Sequence, residues 1–499
     1  MPEDCKIGLR NRGICVIIPT YNNAGTVADV VSRAQAYCQD VFVVLDGCTD
    51  DTLSRLEALP EKPRCIVLER NQGKGRALKE GFRQAREAGF AYAITLDADL
   101  QHYPEDIPLF LEASRQNPGA LIVGCRNGLK NAVRSKGSRF ANAFSNFWFF
   151  LQTLIPLKDT QTGYRLYPLK RIRGPLTSRY EAELALLVFS AWRGIPLVSQ
   201  DVRVYYPSLE ERVSHFRPIA DFARITLLNV CLCLLALIYG WPRTLLRWFF
   251  RAAKSLFVFL FYVFAMLFLV MPYMWVFLKI GPDTEEKKEK LHRIICRFAQ
   301  WGTRLFGWVG NPFTVTGNRE EDFSRPAIIT CNHQSHLDLL PMLALTPKLV
   351  FLTADWVWKN PLYGFIIHKA DFLPASWGLE TLTPRLAEMV RKGYSVVIFP
   401  ESTRSLDCRI GRFHLGAFYL AEQLDVDILP VVLYGAGRAL PKHGRILRRW
   451  PILLEMDRRI SPEDLKQIGE EYKSQASWLR KYYKRRYTEI ADKVEQTIV

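Results

Sequence analysis

The sequence contains no C-x-x-C pair, and its eleven cysteines are scattered and odd in number. Neither a structural zinc site nor a disulfide framework is expected, and the thiols read as free in a reducing cytoplasm. No internal repeat of about 20–50 residues is visible, so a solenoid is not expected. An acidic solvating tail, a coiled-coil rod and a collagen-like repeat are likewise excluded. The opening stretch MPEDCKIGLRNRG lacks an apolar core, so no signal peptide is expected there. No helix-turn-helix, RNA-binding sheet motif or zinc finger appears, and nucleic acid is not an expected partner. Acid is in deficit: Lys+Arg number 67 against 50 Asp+Glu, a formal net charge of +17. Such an excess calls for a polyanionic partner, here an anionic membrane surface or phosphorylated substrates. What is present is a folding composition, 49% hydrophobic and 23% charged over 499 residues, enough for two to four domains.

Short apolar runs alternate with helical stretches in the first part of the chain. Ile14–Ile18, Val41–Leu45, Arg64–Leu68, Tyr92–Leu96 and Leu121–Gly124 read as strands. Thr26–Tyr37, Asp51–Leu59, Gly75–Ala88 and Pro104–Ser114 read as helices. That alternation predicts an α/β domain with a mostly parallel sheet, its ligands outside the carboxyl ends of the strands. Residues 225–278 differ in kind. Ile225–Gly240 is apolar except for Asn229, and Leu256–Leu278 carries no charge. A bilayer core needs about 20 helical residues, so the second run is long enough to span. Between the runs, Arg243, Arg247, Arg251 and Lys254 stack on one helical face, the pattern of a helix lying in the membrane interface. A second α/β region follows. Ala327–Thr330, Leu349–Thr353, Ser395–Phe399 and Ile428–Leu433 read as strands, and Leu337–Leu345, Thr383–Lys392 and Phe413–Leu424 as helices. The expected organisation is 1–220, 221–290 (membrane-associated helices), 291–455 and a basic helical tail, 456–499.

In the first domain, strand Tyr92–Leu96 runs into Asp97-Ala98-Asp99. Two carboxylates one residue apart at a strand end suit a divalent cation, Mg2+ or Mn2+, and the phosphates it carries. Around this pair stand IIPTYNN at 17–23, LDGCTDDT at 45–52, NQGKGRAL at 71–78, LDADLQHYPED at 96–106 and DTQTGYRLY at 159–167. Five motifs in this order resemble the family 2 glycosyltransferases of the GT-A (Rossmann-like) fold, in particular the polyprenyl-phosphate sugar transferases. The resemblance implies a nucleotide-sugar donor. It places Pro19, Tyr21, Asp46, Lys74 and Asp97 at the nucleotide sugar and Asp97 and Asp99 on the metal. It puts Asp159 near the acceptor as a candidate base, and Arg165 at a phosphate or in a structural ion pair. His215, in SHFRP at 214–218, is a candidate third metal ligand or a loop histidine. His102 reads as structural or supporting. Asn23, Leu45 and Cys48 depart from the family pattern, where Glu, Asp and Ser are usual.

In the second domain, strand Ala327–Thr330 ends in Cys331-Asn332-His333-Gln334-Ser335-His336-Leu337-Asp338. A carboxylate across a strand-to-helix turn can fix the imidazole's tautomer and stabilise its cation, making His333 a general base. With FPESTRS at 399–405, FHLGA at 413–417 and LPVV at 429–432, this region resembles the glycerolipid (lysophosphatidic acid-type) acyltransferases. The resemblance implies His333 as base, Asp338 as its orienter, and an acyl thioester donor on coenzyme A or acyl carrier protein. Glu401, Ser402, Thr403 and Arg404 would hold the acceptor, Glu401 and Arg404 closest to the chemistry. Ser402 replaces a usual Gly, and Ala375 stands where the family carries a phosphate-reading Arg. The acyl acceptor is therefore expected to be a hydroxyl or amine other than a simple glycerol phosphate.

Together these readings predict a bifunctional enzyme acting on a lipid acceptor at the cytoplasmic membrane, both catalytic domains facing the cytoplasm. The basic helix would lie in a re-entrant or interfacial arrangement at the headgroups. The alternatives are one active domain with the other inactive, or a non-catalytic membrane scaffold.

Overall fold

The computed structural model describes residues 2–126, 136–173, 177–179, 181–205, 218–318, 320–362 and 364–498. It divides into two compact units, Met1–Trp248 with Ala491–Val499, and Phe249–Ile490.

The first unit runs α1 (Pro2–Asn11), β1 (Ile14–Thr20), α2 (Val27–Gln35), β2 (Val41–Asp46), α3 (Thr52–Glu57), β3 (Arg64–Leu68), α4 (Lys74–Glu87), β4 (Tyr92–Thr95), α5 (Ile107–Gln116), β5 (Leu121–Cys125), α6 (Lys136–Thr153), β6 (Arg165–Pro168), α7 (Glu181–Trp192) and β7 (Leu197–Asp201). The sheet order is β3-β2-β1-β4-β6-β5-β7. β6 is antiparallel to β4 and β5, while the other pairings are parallel. Every residue of β1, β2, β4 and β5 is buried. Alternate positions feed two cores: Val16, Ile18, Val43 and Leu45 join α2 and α5 on one face, and Cys15, Ile17, Phe42 and Val44 join α4 and α7 on the other. Two-sided burial is why these strands read as continuous apolar runs. It also accounts for Leu45, a core residue where the resembling family has a carboxylate. The chain leaves β1 on one side toward β2 and returns on the other at β4. The crevice of the sheet therefore opens beyond the carboxyl ends of β1 and β4.

Arg12 closes this unit at its base. Its guanidinium, 1% exposed, donates to Asp492 (2.8 Å), to Glu495 and to the Ser114 carbonyl (3.1 Å), with the Tyr92 ring 5.7 Å away. The expected basic tail is thus a packed element. In the second unit the same helix, Tyr472–Ile498, buries Leu479, Tyr483 and Tyr487.

The second unit holds β8 (Phe313–Gly317), β9 (Ala327–Cys331), β10 (Leu349–Thr353), β11 (Leu373–Pro374), β12 (Ser395–Ile398), β13 (Asp427–Tyr434) and β14 (Ile452–Met456), in the order β11-β10-β12-β9-β13-β14-β8. β13 and β14 are antiparallel and the remaining pairs parallel. β9 is central, between β12 and β13. The loops leaving β9 and β12 therefore emerge side by side.

Among the described residues, one helix, Ala223–Lys279, is long and apolar enough to cross a membrane. The two apolar runs and the basic stretch between them form this single helix, with π-helical segments at Ala236–Gly240 and Ala265–Val270. No turn separates the runs, which departs from the re-entrant arrangement among those expected from the sequence. The first run is also half docked. Leu232 and Ala236 are buried in the first unit's core, Gly240 packs on Trp192, and Asn229 accepts a 2.9 Å hydrogen bond from Gln152. Arg247, expected at headgroups, donates to the carbonyl of Ala191 (3.3 Å).

Two candidate active sites

At the first sheet's crevice, β1 delivers Pro19 and Tyr21, β2 delivers Asp46, and β4 delivers Asp97 and Asp99. Gly73, at φ +93°, turns the chain into α4; a Cβ there would come within 2.5 Å of the Ser178 carbonyl. The turn is pinned by Asp46, whose two oxygens accept from the backbone N–H groups of Gln72 (2.8 Å) and Gly73 (2.7 Å). Asp46 was expected to contact the nucleoside; here its carboxylate, 3% exposed, shapes the loop that opens α4. Asn23 accounts for its departure in the same way, its N–H donating to Thr52 (3.0 Å) and its side chain to Thr20 (3.2 Å).

Lys74 lies between two carboxylates, 2.7 Å from Asp97 and 2.9 Å from Glu183 on α7. Burial works to deprotonate Lys74, but the two acids prevail and hold it charged. Burial also works to raise Asp97, yet Lys74 brings it below the usual carboxylate range. Asp99 is pushed up to about 6 by burial and by the neighbouring Asp97. Crowded acids of this kind fit a hard divalent cation. Among the described residues, no group of three or more His, Cys, Asp or Glu side chains gathers to hold a metal. His215 lies outside the described residues.

Asp159 does not stand as an open base. It is fully buried and takes a two-pronged ion pair from Arg126 (2.7 and 3.0 Å), with the backbone N–H groups of Arg126 and Gln161 completing its shell. Arg165 is structural, donating to Tyr167 and to the carbonyls of Glu183 and Thr160. His102 is buried, its Nε2 3.3 Å from Thr162, and burial lowers it to about 4. It is a neutral ring near Asp97.

In the second unit the strand-end loops build the site from backbone outward. After β9, Ser335 and Asp338 form a capping box on the short helical turn 336–338. The Asp338 oxygen that caps also accepts from the Gln334 N–H (2.6 Å), the Ser335 N–H (2.8 Å) and His333 Nδ1 (2.8 Å). One carboxylate thus folds the loop and orients the imidazole. With Nδ1 donating, Nε2 carries the lone pair and can accept a proton. The ring stacks on Phe399 (centroids 4.3 Å apart) and remains partly exposed.

Glu401, expected to touch the acceptor, is 5% exposed; its oxygens accept from the N–H groups of His333 (2.9 Å) and Gly411 (2.6 Å). It ties the β12 loop to the β9 loop. Ser402 adopts φ +57°, the left-handed conformation that explains the usual Gly. Arg404 lies on the same loop, close enough for its charge to depress His336 beyond the effect of burial. Lys442, which sequence reasoning missed, donates to Thr403 (3.1 Å) and to the Arg404 carbonyl (2.9 Å). The only advance signal was the acid-free stretch Arg438–Arg449. Tyr483 was missed too; its hydroxyl donates to the Thr330 carbonyl (2.7 Å) and accepts from Val431 N–H (3.0 Å), bridging β9 and β13.

Comparison with known proteins matches the region around each site to a family model. Residues 15–167 match the family model for glycosyl transferase family 2, and residues 312–434 match that for acyltransferase. A chloroplastic 1-acyl-sn-glycerol-3-phosphate acyltransferase of Arabidopsis thaliana is 34% identical over 124 residues, which is 23% of this chain and 34% of that protein. An undecaprenyl-phosphate 4-deoxy-4-formamido-L-arabinose transferase of Pseudomonas paraeruginosa is 34% identical over 141 residues, 26% of this chain and 40% of that protein. The match thus spans well under two thirds of each relative's length. The solved 1-acyl-sn-glycerophosphate acyltransferase of Thermotoga maritima is 20% identical, covering 50% of this chain and 98% of its own, with a TM-score of 0.41. The chain therefore joins a GT-A-like glycosyltransferase domain to an acyltransferase domain.

Proposed function

We propose that the chain is a bifunctional enzyme of lipid biosynthesis. Residues 1–220 transfer a sugar from a nucleotide sugar to a lipid-linked acceptor. Residues 291–455 transfer an acyl group from a thioester of coenzyme A or acyl carrier protein to a lipid acceptor. The observation that carries this is the state of both sites. Each has its charged groups assembled at the carboxyl edge of its sheet, with the 2.8 Å His333–Asp338 bond already formed.

In the first domain, Asp97 and Asp99 would hold Mg2+ or Mn2+, which supplies Lewis acidity toward the departing diphosphate. The loop pinned by Asp46 presents the N-terminus of α4, whose dipole favours an anion. A lipid phosphate acceptor is already ionised, so the pairing of Asp159 with Arg126 leaves the reaction without need of a strong base. The undecaprenyl-phosphate named in one relative is an acceptor of this class.

In the second domain, His333 Nε2 takes the proton from an acceptor hydroxyl as its oxygen attacks the thioester carbonyl. Asp338 stabilises the imidazolium, and the C–S bond breaks. The proton passes from His333 to the departing thiolate. Arg404 and Lys442 offer positive charge beside this path. Ala375 offers none, which favours a hydroxyl or amine acceptor over the glycerol phosphate named in the plant relative. A sugar on the first domain's product is an economical choice.

Membrane attachment fits the exposed apolar surface. Phe140, Phe144, Phe147 and Phe150 line the outside of α6, and Leu256–Val276 of the long helix exposes ten large apolar and aromatic side chains or more. Cytoplasmic donors require both domains on the cytoplasmic side, so the single long helix would lie in the membrane interface and not cross the bilayer. The test is product mass spectrometry with the purified full chain, paired with lipid profiles of cells carrying Asp99→Ala or His333→Ala. Loss of one product class in each variant supports two activities. Efficient conversion of lysophosphatidic acid with no sugar dependence rejects the acceptor assignment, and unchanged profiles in both reject catalysis.

A further inference from the structure

Lys74 has two acidic partners, and only one of them belongs to the candidate metal pair. Its ammonium is 2.7 Å from Asp97 and 2.9 Å from Glu183, with all three side chains largely withdrawn from water. Glu183 comes from α7 and lies outside every motif that pointed to the nucleotide sugar. Its bonded oxygen is Oε2; Oε1 is buried and has no hydrogen-bond partner among the described residues. A second acceptor thus lies within a short swing of the ammonium. Gly163 leaves room for that swing, since a Cβ there would stand 2.8 Å from Lys74 Nζ and 2.6 Å from Asp97 Oδ2.

The charges match this geometry. Asp97, Asp99 and Glu183 with Lys74 leave two net negative charges, the number one divalent cation neutralises. An ammonium and a divalent cation cannot share one buried carboxylate without strong repulsion. Nor can a buried ammonium be left unpaired at low cost.

We infer that Lys74 and Glu183 are a hand-over pair: Lys74 neutralises Asp97 in the metal-free protein and moves wholly onto Glu183 when a divalent cation occupies Asp97. The inference rests on the assignment of Asp97 and Asp99 to the metal, and it makes Glu183 a positioning residue. Without Glu183 the ammonium has nowhere to go, and metal binding must expel it unpaired. Without Lys74 the competitor is gone.

The test is binding of Mn2+ alone to the full chain, read by loss of the free-ion electron paramagnetic resonance signal. Asp99→Asn serves as the control that assigns the ion to this site. Glu183→Gln is expected to weaken Mn2+ binding roughly tenfold or more, and Lys74→Met to tighten it by a similar factor. The double variant Lys74→Met/Glu183→Gln restores two net negative charges and is expected within about threefold of the unsubstituted protein. It also relieves the acid crowding that threatens folding of Lys74→Met; thermal melts without metal report each variant's integrity. If the unsubstituted protein binds no Mn2+ that Asp99→Asn removes, the metal assignment falls. If it binds, and Glu183→Gln is folded with unchanged affinity, or the double variant is weaker than Glu183→Gln, the hand-over alone is overturned.

Discussion

Replacing Asp338 by Asn removes a charge and keeps the shape, so it isolates what the carboxylate contributes. One oxygen accepts three donors, at 2.6, 2.8 and 2.8 Å. A hydrogen bond to a charged acceptor contributes about 1 kcal/mol more than a neutral one, so the three together lose about 3 kcal/mol. The second oxygen is buried without a partner among the described residues, and an amide NH2 placed there costs about 1–3 kcal/mol more. The loop from 333 to 338 should loosen while the sheet beneath it, buried throughout β9, persists. The catalytic loss is separate. Asp338 supplies the counter-charge to the imidazolium that forms in the reaction, and an amide in its place can hold the wrong tautomer. The expected fall in acyl transfer is about 10²–10⁴-fold in kcat, with a smaller change in KM. The assay is thiol release from acyl-coenzyme A in the presence of lipid extract, with acylated product confirmed by mass. Ser335→Ala is the control: it removes the 2.7 Å bond to Leu440 and loosens the same loop while keeping the carboxylate. It should lose less than about tenfold. If His333→Ala is inactive but Asp338→Asn keeps a tenth of the rate or more, the orienting role is refuted. Equal losses in Ser335→Ala and Asp338→Asn would show that loop order alone matters.

Other outcomes follow from the same reasoning. Arg12→Met strands Asp492 and Glu495 in the interior and should destabilise the first unit by about 3–5 kcal/mol, seen as roughly thousandfold faster hydrogen exchange in β1; Arg12→Met/Asp492→Asn/Glu495→Gln should recover most of it, and no recovery would refute the ion-pair account. Gly163→Ala drives a methyl into Lys74 and Asp97 and should cut sugar transfer by about tenfold or more with acyl transfer unchanged, both measured on the same preparation. Lys442→Met removes the donor to Thr403 and the Arg404 carbonyl and should raise KM for the acyl acceptor more than it lowers kcat. The long apolar helix should keep the full chain with membranes through alkaline carbonate washing, and recovery in the supernatant would refute stable membrane attachment.

Much of this architecture follows from local sequence pattern. β1, β2, β4 and β5 are legible because both faces are covered, so each reads as an unbroken apolar run. β6 and β7 are not. RLYP is four residues long, and LVSQD is a half-buried edge strand without a clean period. Asp97, Asp99, His333 and Asp338 were legible because each pair lies close in sequence at a strand end, where backbone geometry alone brings the side chains near one another.

The longer-range roles were not legible, because their partners are far apart in the chain. Asp46 caps a loop 26 residues away, Glu401 holds an amide 68 residues away, and Asp159 is claimed by Arg126 from 33 residues away. A motif reports that a carboxylate is present; only the fold decides whether its lone pairs remain open to substrate or are consumed by backbone N–H groups. The same holds for Lys442 and Glu183, which carry no motif and matter only because a loop and a helix bring them to Thr403 and Lys74. Residue type and spacing by themselves pointed to the two families and to the apolar character of 225–278; that the two runs join in one helix was decided by the fold. Which charges face the reaction, and which hold the walls around it, was settled by tertiary packing, since burial leaves no polar group without a partner at low cost.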